Sequence, residues 1–248
     1  MNKISLILIL TFSFESFGQI EENDRNGFAS VNYGLNIPTG NYGSKKFSNS
    51  EAGFATKGSV FDIAFGHKIL PKLGVMAMSR GLANGFDVGE YAQGLANYLG
   101  PSNPMEVTTV GVESNSYSLG GLLTGIYGSF PIANKISFEP RLLAGISGVS
   151  LPAMTIDVYE SGAKIISFIR EHSTTVAFSY NIGAGTVFDV SKKVKLMINV
   201  DFFAAKAEWN DVQEISIGHI SDETEIYYYD YDQNFGTVNV STGIGFKF

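Results

Sequence analysis

The sequence predicts an all-β protein, an eight-stranded antiparallel up-and-down transmembrane β-barrel with short turns at one end and long loops at the other. Three observations predict this class. Bulky apolar residues alternate with small or polar ones with a period of two. The connections between the alternating segments are short and long in turn. The mature chain also lacks the run of about 20 apolar residues that a membrane-spanning helix requires.

Composition excludes several functional classes. The chain has 248 residues and no cysteine, which excludes disulfide scaffolds, thiolate metal sites and cysteine nucleophiles. Its 24 acidic and 17 basic residues give a formal charge of −7, and this acidity argues against nucleic acid as a partner. The length suits one all-β domain.

Residues 1–18 have the pattern of a secretory signal peptide. Lys3 gives the segment a positively charged N-terminal region, and residues 4–14 are mostly apolar. Ser16 and Gly18 are the small residues expected before a cleavage site. The apolar run is too short to span a bilayer. We therefore expect export and a mature domain at 19–248, with no lipid anchor because no cysteine follows the run.

Eight segments alternate as strands do. In the clearest one, Val194, Leu196 and Ile198 alternate with more polar neighbours. The predicted strands cover residues 30–37, 59–67, 73–82, 117–130, 135–149, 176–188, 194–204 and 238–248. Pro140 lies inside one of them, and because proline lacks an N–H it requires a bulge or an end position there.

The connections alternate in length. The short ones are 68–72, 131–134 and 189–193, and the long ones are 38–58, 83–116, 150–173 and 205–235. This rhythm is typical of a barrel with short periplasmic turns and long extracellular loops. Residues 160–163 read as a hairpin tip inside one long loop, whereas no amphipathic helix is predicted anywhere.

The residues on the two strand faces decide between two kinds of barrel. A soluble lipocalin-like barrel would turn its apolar side chains inward and expose Lys, Glu and Thr. Here the less bulky face consists mostly of Gly, Ser, Asn and Ala, which suit a crowded interior. We therefore expect the bulky apolar face to contact lipid, with aromatic residues such as Trp209 and Phe246 near the membrane interfaces.

Seven charged residues fall on the predicted inward face. They are Asp62, Arg80, Glu139, Arg141, Lys195, Asp201 and Lys247. Charges in a narrow interior must be paired to offset the loss of hydration. The sequence therefore predicts a structural network that plugs the lumen, with Glu139 and Arg141 as the strongest local pair.

Four sequence blocks resemble a known family. They are Asn36-Ile-Pro-Thr-Gly-Asn-Tyr-Gly-Ser44, Ala52-Gly-Phe-Ala-Thr-Lys-Gly58, Ser129-Phe-Pro-Ile132 and the terminal Gly-Phe-Lys-Phe248. Together they are similar to the small outer-membrane β-barrel proteins of Bacteroidetes-type bacteria. The resemblance implies a location in the cell outer membrane, contact with its lipids and lipopolysaccharide, and recognition of Phe248 by the barrel assembly machinery. It implies no catalytic residue and no cofactor.

The last long connection is strongly acidic. Its carboxylates are Glu208, Asp211, Glu214, Asp222, Glu223, Glu225, Asp230 and Asp232, and Lys206 is its one base, so residues 206–232 carry a net charge of −7. The mature chain outside this segment is therefore neutral. A simple solvated hairpin explains such a segment, and contact with divalent cations or with a ligand through its tyrosines is the alternative.

The function predicted is a monomeric, non-enzymatic role in structure or surface interaction, carried by the extracellular loops. A narrow pore or small-solute transporter is the alternative, if the strand count is ten or if residues 83–116 fold differently. The third candidate is an outer-membrane hydrolase, because His219 and Ser221 have a spacing in which a histidine can activate a serine. No metal-binding spacing of histidines is found.

Overall fold

A computed structural model describes residues 26–99 and 107–248, so the predicted signal peptide lies outside the described residues. These ranges contain two helices, α1 Gly40–Gly43 and α2 Val88–Leu99. They contain twelve strands: β1 Gly27–Thr39, β2 Ala55–Leu70, β3 Leu73–Phe86, β4 Val107–Ser114, β5 Tyr117–Gly128, β6 Phe130–Ala133, β7 Ile136–Leu151, β8 Met154–Glu160, β9 Ala163–Arg170, β10 Ser173–Asp189, β11 Val194–Gly218 and β12 Thr224–Lys247. The predicted all-β antiparallel class is confirmed, and the strand count differs from the predicted eight.

Eight strands pair around a closed cycle, which we call the ring. Its order is β1, β2, β3, β5, β7, β10, β11 and β12, and β12 pairs in turn with β1. Every neighbouring pair is antiparallel, as in an up-and-down sheet. The seam between β1 and β12 ends in two reciprocal backbone hydrogen bonds between Gly27 and Phe248, both 2.9 Å long. A closed cycle leaves no unpaired strand edge along the ring.

Of the remaining strands, β6 pairs with β7 at the end of the ring with the short turns, and the other three form a sheet with β11 that projects beyond the ring. The upper part of β11 pairs with β9, β9 with β8, and β8 with β4. The hairpin tip predicted at 160–163 is confirmed, because β8 and β9 meet there and Gly162 has a φ of 81°. The loop predicted at 205–235 is wrong: β11 and β12 continue through most of it as a paired hairpin with its tip at 219–223. We call these four strand portions the projecting sheet.

Helix α2 was missed by the sequence analysis. Its apolar residues Val88, Tyr91, Leu95 and Leu99 follow the i, i+3, i+7, i+11 spacing of one helix face, a signal that period-two alternation does not capture. Phe86, Tyr91 and Leu95 pack against the buried Met154, Ile156 and Val158 of the projecting sheet. Tertiary packing therefore stabilises this helix beyond what its sequence alone favours. In the described parts of the chain, no helix has the length and apolar character to cross a membrane.

Pro140 lies at an irregularity, as the sequence predicts. The last β5 pair with β7 is Tyr127 with Arg141, and the next pair on that side is Phe130 with Phe138, made by the short β6. Pro140 therefore falls in the interval between two partner strands on one side. On its other side it lies opposite Ala184 of β10.

The two faces of the ring have opposite chemistry. Large apolar side chains point outward and are exposed, among them Leu35 at 63%, Ile146 at 60% and Phe178 at 67%. Charged and amide side chains point inward and are buried, among them Asp62 at 1% and Asn181 at 0%. The predicted orientation of the faces is therefore confirmed. A soluble protein has the reverse distribution, with its charged residues almost never fully buried.

Inward glycines allow the walls of the ring to lie close together. A Cβ atom on Gly125 would stand 2.1 Å from the backbone oxygen of Leu142 on the neighbouring strand. Gly120 lies on the same strand but faces outward, and a Cβ atom there would meet nothing within 4 Å. Replacing each glycine by alanine therefore separates the effect of crowding between strands from the effect of losing a glycine.

We expect Gly125→Ala to destabilise the ring by about 1–3 kcal/mol, because the methyl group forces two strand backbones apart. Gly120→Ala is the matched control and should leave stability unchanged. The measurement is the urea midpoint of protein refolded in lipid vesicles, followed by the fluorescence of Trp209, the one tryptophan of the chain. Equal losses in the two variants would contradict the packing argument.

Candidate functional site

The interior of the ring holds a network of buried charges contributed by four strands. Arg80 on β3 binds Asp62 on the adjacent β2 through two hydrogen bonds of 2.7 Å, Nε to Oδ1 and Nη2 to Oδ2. Arg80 Nη2 also reaches Asp201 Oδ2 on β11 at 3.2 Å. Arg141 on β7 donates to both oxygens of Asp201, at 2.7 and 2.6 Å. Asp201 therefore joins two guanidinium groups across the interior.

Amide side chains complete this network. Asn181 Nδ2 donates to Asp201 Oδ1 at 3.1 Å, and its Oδ1 accepts from Arg80. Asn199 Oδ1 accepts from Arg141 at 3.1 Å, and Asn199 Nδ2 donates to Asn32 at 3.1 Å. These amides were not among the predicted site residues, because that prediction rested on charge alone. Their signal was available, since each alternates onto the same inward face as the charged residues.

A second ion pair lies nearer the end of the ring where the short turns are. Lys195 Nζ is 3.5 Å from Glu139 Oε2 and 3.2 Å from the centre of the Phe28 ring. The predicted local pair of Glu139 with Arg141 is wrong, because each binds a residue of β11 instead. Residues two apart on a strand share a face, but closure of the ring brings β11 side chains nearer.

Lys247 does not join the buried network. Its side chain is 25% exposed at the end of β12 and pairs with Asp189 at the end of β10. The other six predicted residues are all buried, and they comprise three acids and three bases. The buried network is therefore electrically balanced.

An aromatic layer closes the interior beyond the network. Tyr42 of α1, Tyr117 of β5 and Phe235 of β12 contact each other, with ring centres 4.6–5.9 Å apart. Trp209 adds to the layer with its ring centre 6.2 Å from that of Phe235, so its expected position on the outward face is wrong. All four side chains are at most 2% exposed. This layer closes the interior at the end from which the sheet projects.

Helix α1 places Tyr42 in that layer. The chain turns over the end of the ring after β1, and Gly40 adopts a φ of 60°, which favours glycine. The hydroxyl of Tyr42 then donates to Asn84 Oδ1 at 3.2 Å, and Asn84 donates to Asn36 at 2.7 Å. Tyr42, which belongs to the first sequence block of the family resemblance, therefore helps to close the interior at this end of the ring.

The acidic segment lies on the projecting hairpin and its tip. Seven of its eight predicted acids are exposed, and Glu214 is half-buried beside Arg170 of β9. Glu208 pairs with Lys206 at 2.6 Å, and the Asp211 backbone N–H donates to Asp230 at 3.3 Å. Among residues 26–99 and 107–248, no three His, Asp or Glu side chains are grouped as metal ligands. Contact with divalent cations stays a prediction.

His219 contacts a serine other than the predicted one. Its Nε2 lies 2.9 Å from Ser167 Oγ, and Ser167 donates to Asp157 Oδ1 at 2.6 Å. Lys164 binds the other carboxylate oxygen of Asp157 at 2.7 Å. Burial raises the pKa of the Asp157 carboxyl, but hydrogen bonds from Lys164 and Ser167 outweigh burial and hold the pKa below its ordinary value. Ser167 therefore lies between Asp157 and His219, whereas in a catalytic Ser-His-Asp triad the histidine lies between the serine and the acid.

We expect Asp201→Asn to lower the stability of the ring by about 3–5 kcal/mol, because it leaves the buried Arg141 charge without a carboxylate. The urea midpoint in lipid vesicles measures this loss. Asp222→Asn is the control at the exposed tip, where a φ of 57° suits asparagine. Equal midpoints for the two variants would show that the network contributes no stability.

Comparison with known proteins gives structural matches only. No protein-family model and no curated protein matches the chain. Ail, the attachment invasion locus protein of Yersinia pestis, is 12% identical over 90% of this chain and 99% of that chain, with a TM-score of 0.40. The outer membrane protease OmpT from Escherichia coli is 10% identical over 93% and 99%, with a TM-score of 0.45. A major outer membrane protein from Thermus thermophilus is 9% identical over 90% and 99%, also at 0.45. At these values the likeness says nothing about activity, and the resemblance to Bacteroidetes-type proteins stays a prediction.

Proposed function

We propose that this chain is an integral outer-membrane protein whose eight-stranded ring is a transmembrane β-barrel. One observation carries the proposal: the ring exposes large apolar side chains outward and buries its charges inward. Lipid can accept that outer surface, and water cannot without a large hydrophobic penalty. Closure of the ring satisfies the backbone hydrogen bonds, which is the condition for a sheet to cross a bilayer.

The strand lengths fit this orientation. A tilted strand needs about 9–11 residues to cross the hydrocarbon core. On β10 the outward apolar residues run from Val176 to Phe188, which is long enough. Strands β11 and β12 have 25 and 24 residues, so roughly half of each extends beyond the membrane. The end with short turns is then periplasmic, and the projecting sheet lies outside the cell.

The filled interior supports a role other than conduction. Six paired charges and an aromatic layer occupy the space in which a channel would hold water. The surface available for function is then the projecting sheet with its exposed acids. We place the role in structure or surface interaction, by a monomer in contact with outer-membrane lipids and lipopolysaccharide.

The proposal includes a non-enzymatic role. Ser167 is only 4% exposed, so a substrate has no access to its hydroxyl. Its hydrogen bonds to Asp157 and His219 connect β8, β9 and the hairpin tip, which is a structural role.

At the other end of the barrel, the ring of Phe248 lies against Gly27, where a Cβ atom would be 2.4 Å away. Phe248 is the residue we propose for recognition during assembly.

We expect the folded protein to fractionate with the outer membrane and to migrate differently on a gel before and after boiling. A closed barrel resists unfolding by detergent until heated, so only boiling should shift the band. Immunoblots of separated membrane and periplasmic fractions give the location. Recovery in the periplasmic fraction, without a heat-dependent shift, would favour a soluble barrel instead.

We expect no open-channel current of porin size when the purified protein is inserted in a planar bilayer. The paired charges and the aromatic layer leave no continuous water path through the barrel. A general porin recorded in the same bilayer is the positive control. Steady currents of porin size would contradict the plugged lumen and favour the pore or transporter candidate.

A further inference from the structure

The ring contains a polar cavity at the end where the short turns lie. It has a volume of about 80 Å³ and is lined by residues from β1, β2, β5, β7, β10, β11 and β12 and the residues beside them. We propose that this cavity binds a single oxyanion, a carboxylate or phosphate group carried by a periplasmic molecule. The assignment to the periplasm rests on the proposed orientation, whereas the anion chemistry does not.

The buried wall of the cavity is fixed in shape. Phe28 and Tyr127 meet edge to face, with ring centres 5.5 Å apart and planes at 88°. Both rings fill space that glycines leave free: a Cβ atom on Gly66 would be 2.3 Å from the Phe28 ring, and one on Gly74 would be 2.4 Å from the Tyr127 ring. A preformed wall lowers the entropic cost of binding.

The charges around the cavity favour an anion. Three lysines line it, Lys68, Lys195 and Lys247, against two carboxylates, Glu139 and Asp189. Lys247 is paired with Asp189, and Lys195 stands 3.5 Å from Glu139. Within residues 26–99 and 107–248, Lys68 makes no ion pair. The lining therefore carries one positive charge in excess.

A buried donor also lacks a partner. The Tyr127 hydroxyl is buried in the lining and finds no hydrogen-bond partner in the described part of the chain. Buried polar groups in folded proteins are nearly always satisfied, so such a group indicates a missing water or ion. An oxyanion can accept from Tyr127 and neutralise Lys68 at once. A cation would meet three ammonium groups, and a neutral ligand would leave Lys68 uncompensated.

The size of the cavity limits the ligand. Sites for whole small molecules have volumes of about 300–1,000 Å³. The present volume of about 80 Å³ holds a few waters or one small oxyanion. Only the charged group of a larger molecule could therefore enter, with the rest of that molecule remaining below the barrel.

The test uses the mature protein in lipid nanodiscs, labelled with 3-fluorotyrosine and observed by ¹⁹F NMR. Tyr127→Phe identifies the Tyr127 resonance by its loss. Inorganic phosphate and acetate are titrated separately at constant ionic strength, with chloride as the control anion. We expect a saturable shift of the Tyr127 resonance with phosphate or acetate. The anion that saturates at the lower concentration identifies a phosphate or a carboxylate as the natural group.

A pair of lysine variants tests the site further. Lys68→Gln should weaken the apparent affinity at least threefold, because it removes the unpaired charge. Lys57→Gln changes an exposed lysine at the opposite end of the same β2 strand and should have no effect. Heat-dependent gel mobility shows that each variant has folded. Because this measurement does not involve the anion, it tests the proposed barrel separately from the proposed anion site. No saturable shift, an equal response to chloride, or unchanged affinity in Lys68→Gln would overturn the proposal and leave a cavity that holds water only.

Discussion

Asp201 is the charge on which the interior of the ring depends. It accepts from both Arg80 and Arg141, which come from strands on different sides of the enclosed space. An interior too narrow for bulk water cannot screen charge, so every guanidinium needs a carboxylate in contact. One bidentate acid shared by two bases, with Asp62 as the second acid, meets this requirement. The strands that supply these residues must therefore close in one register only.

The walls of the ring are shaped to fit what they enclose. Several large interior side chains lie against a glycine, where the backbone carries no side chain: Phe28 lies against Gly66 and Tyr127 against Gly74. Small and large residues thus complement each other across strands instead of along one strand. The same rule holds at the seam, where Gly27 accommodates the terminal Phe248. The abundance of glycine reflects the packing of this interior.

Sequence could predict the parts of the structure that follow a local period. Alternation alone assigns Asp62, Arg80 and Asp201 to the inner face, since a strand repeats every two residues. It could not predict which of them meet, because closure brings β7 and β11 side chains together over 60 positions of sequence. Nor does alternation reveal β4 and the extended hairpin, which are stabilised by tertiary contacts, whereas α2 has a helical spacing of apolar residues that a period of two passes over. The cavity near Tyr127 was out of reach for the same reason: seven strands contribute to it.

A β-bulge in β11 changes which residue numbers face inward along one strand. Between Trp209 and Val212 the strand carries one residue more than β12, and Asp211 there has a φ of 55°. The side chains that face inward are odd-numbered up to Trp209 and even-numbered from Val212 onward. Loss of a single residue at this point would place Val212 two positions after Trp209, so the strand would alternate regularly and the same side chains would still face inward. The bulge therefore bends the strand where the hairpin leaves the ring without changing which side chains of the outer hairpin face inward.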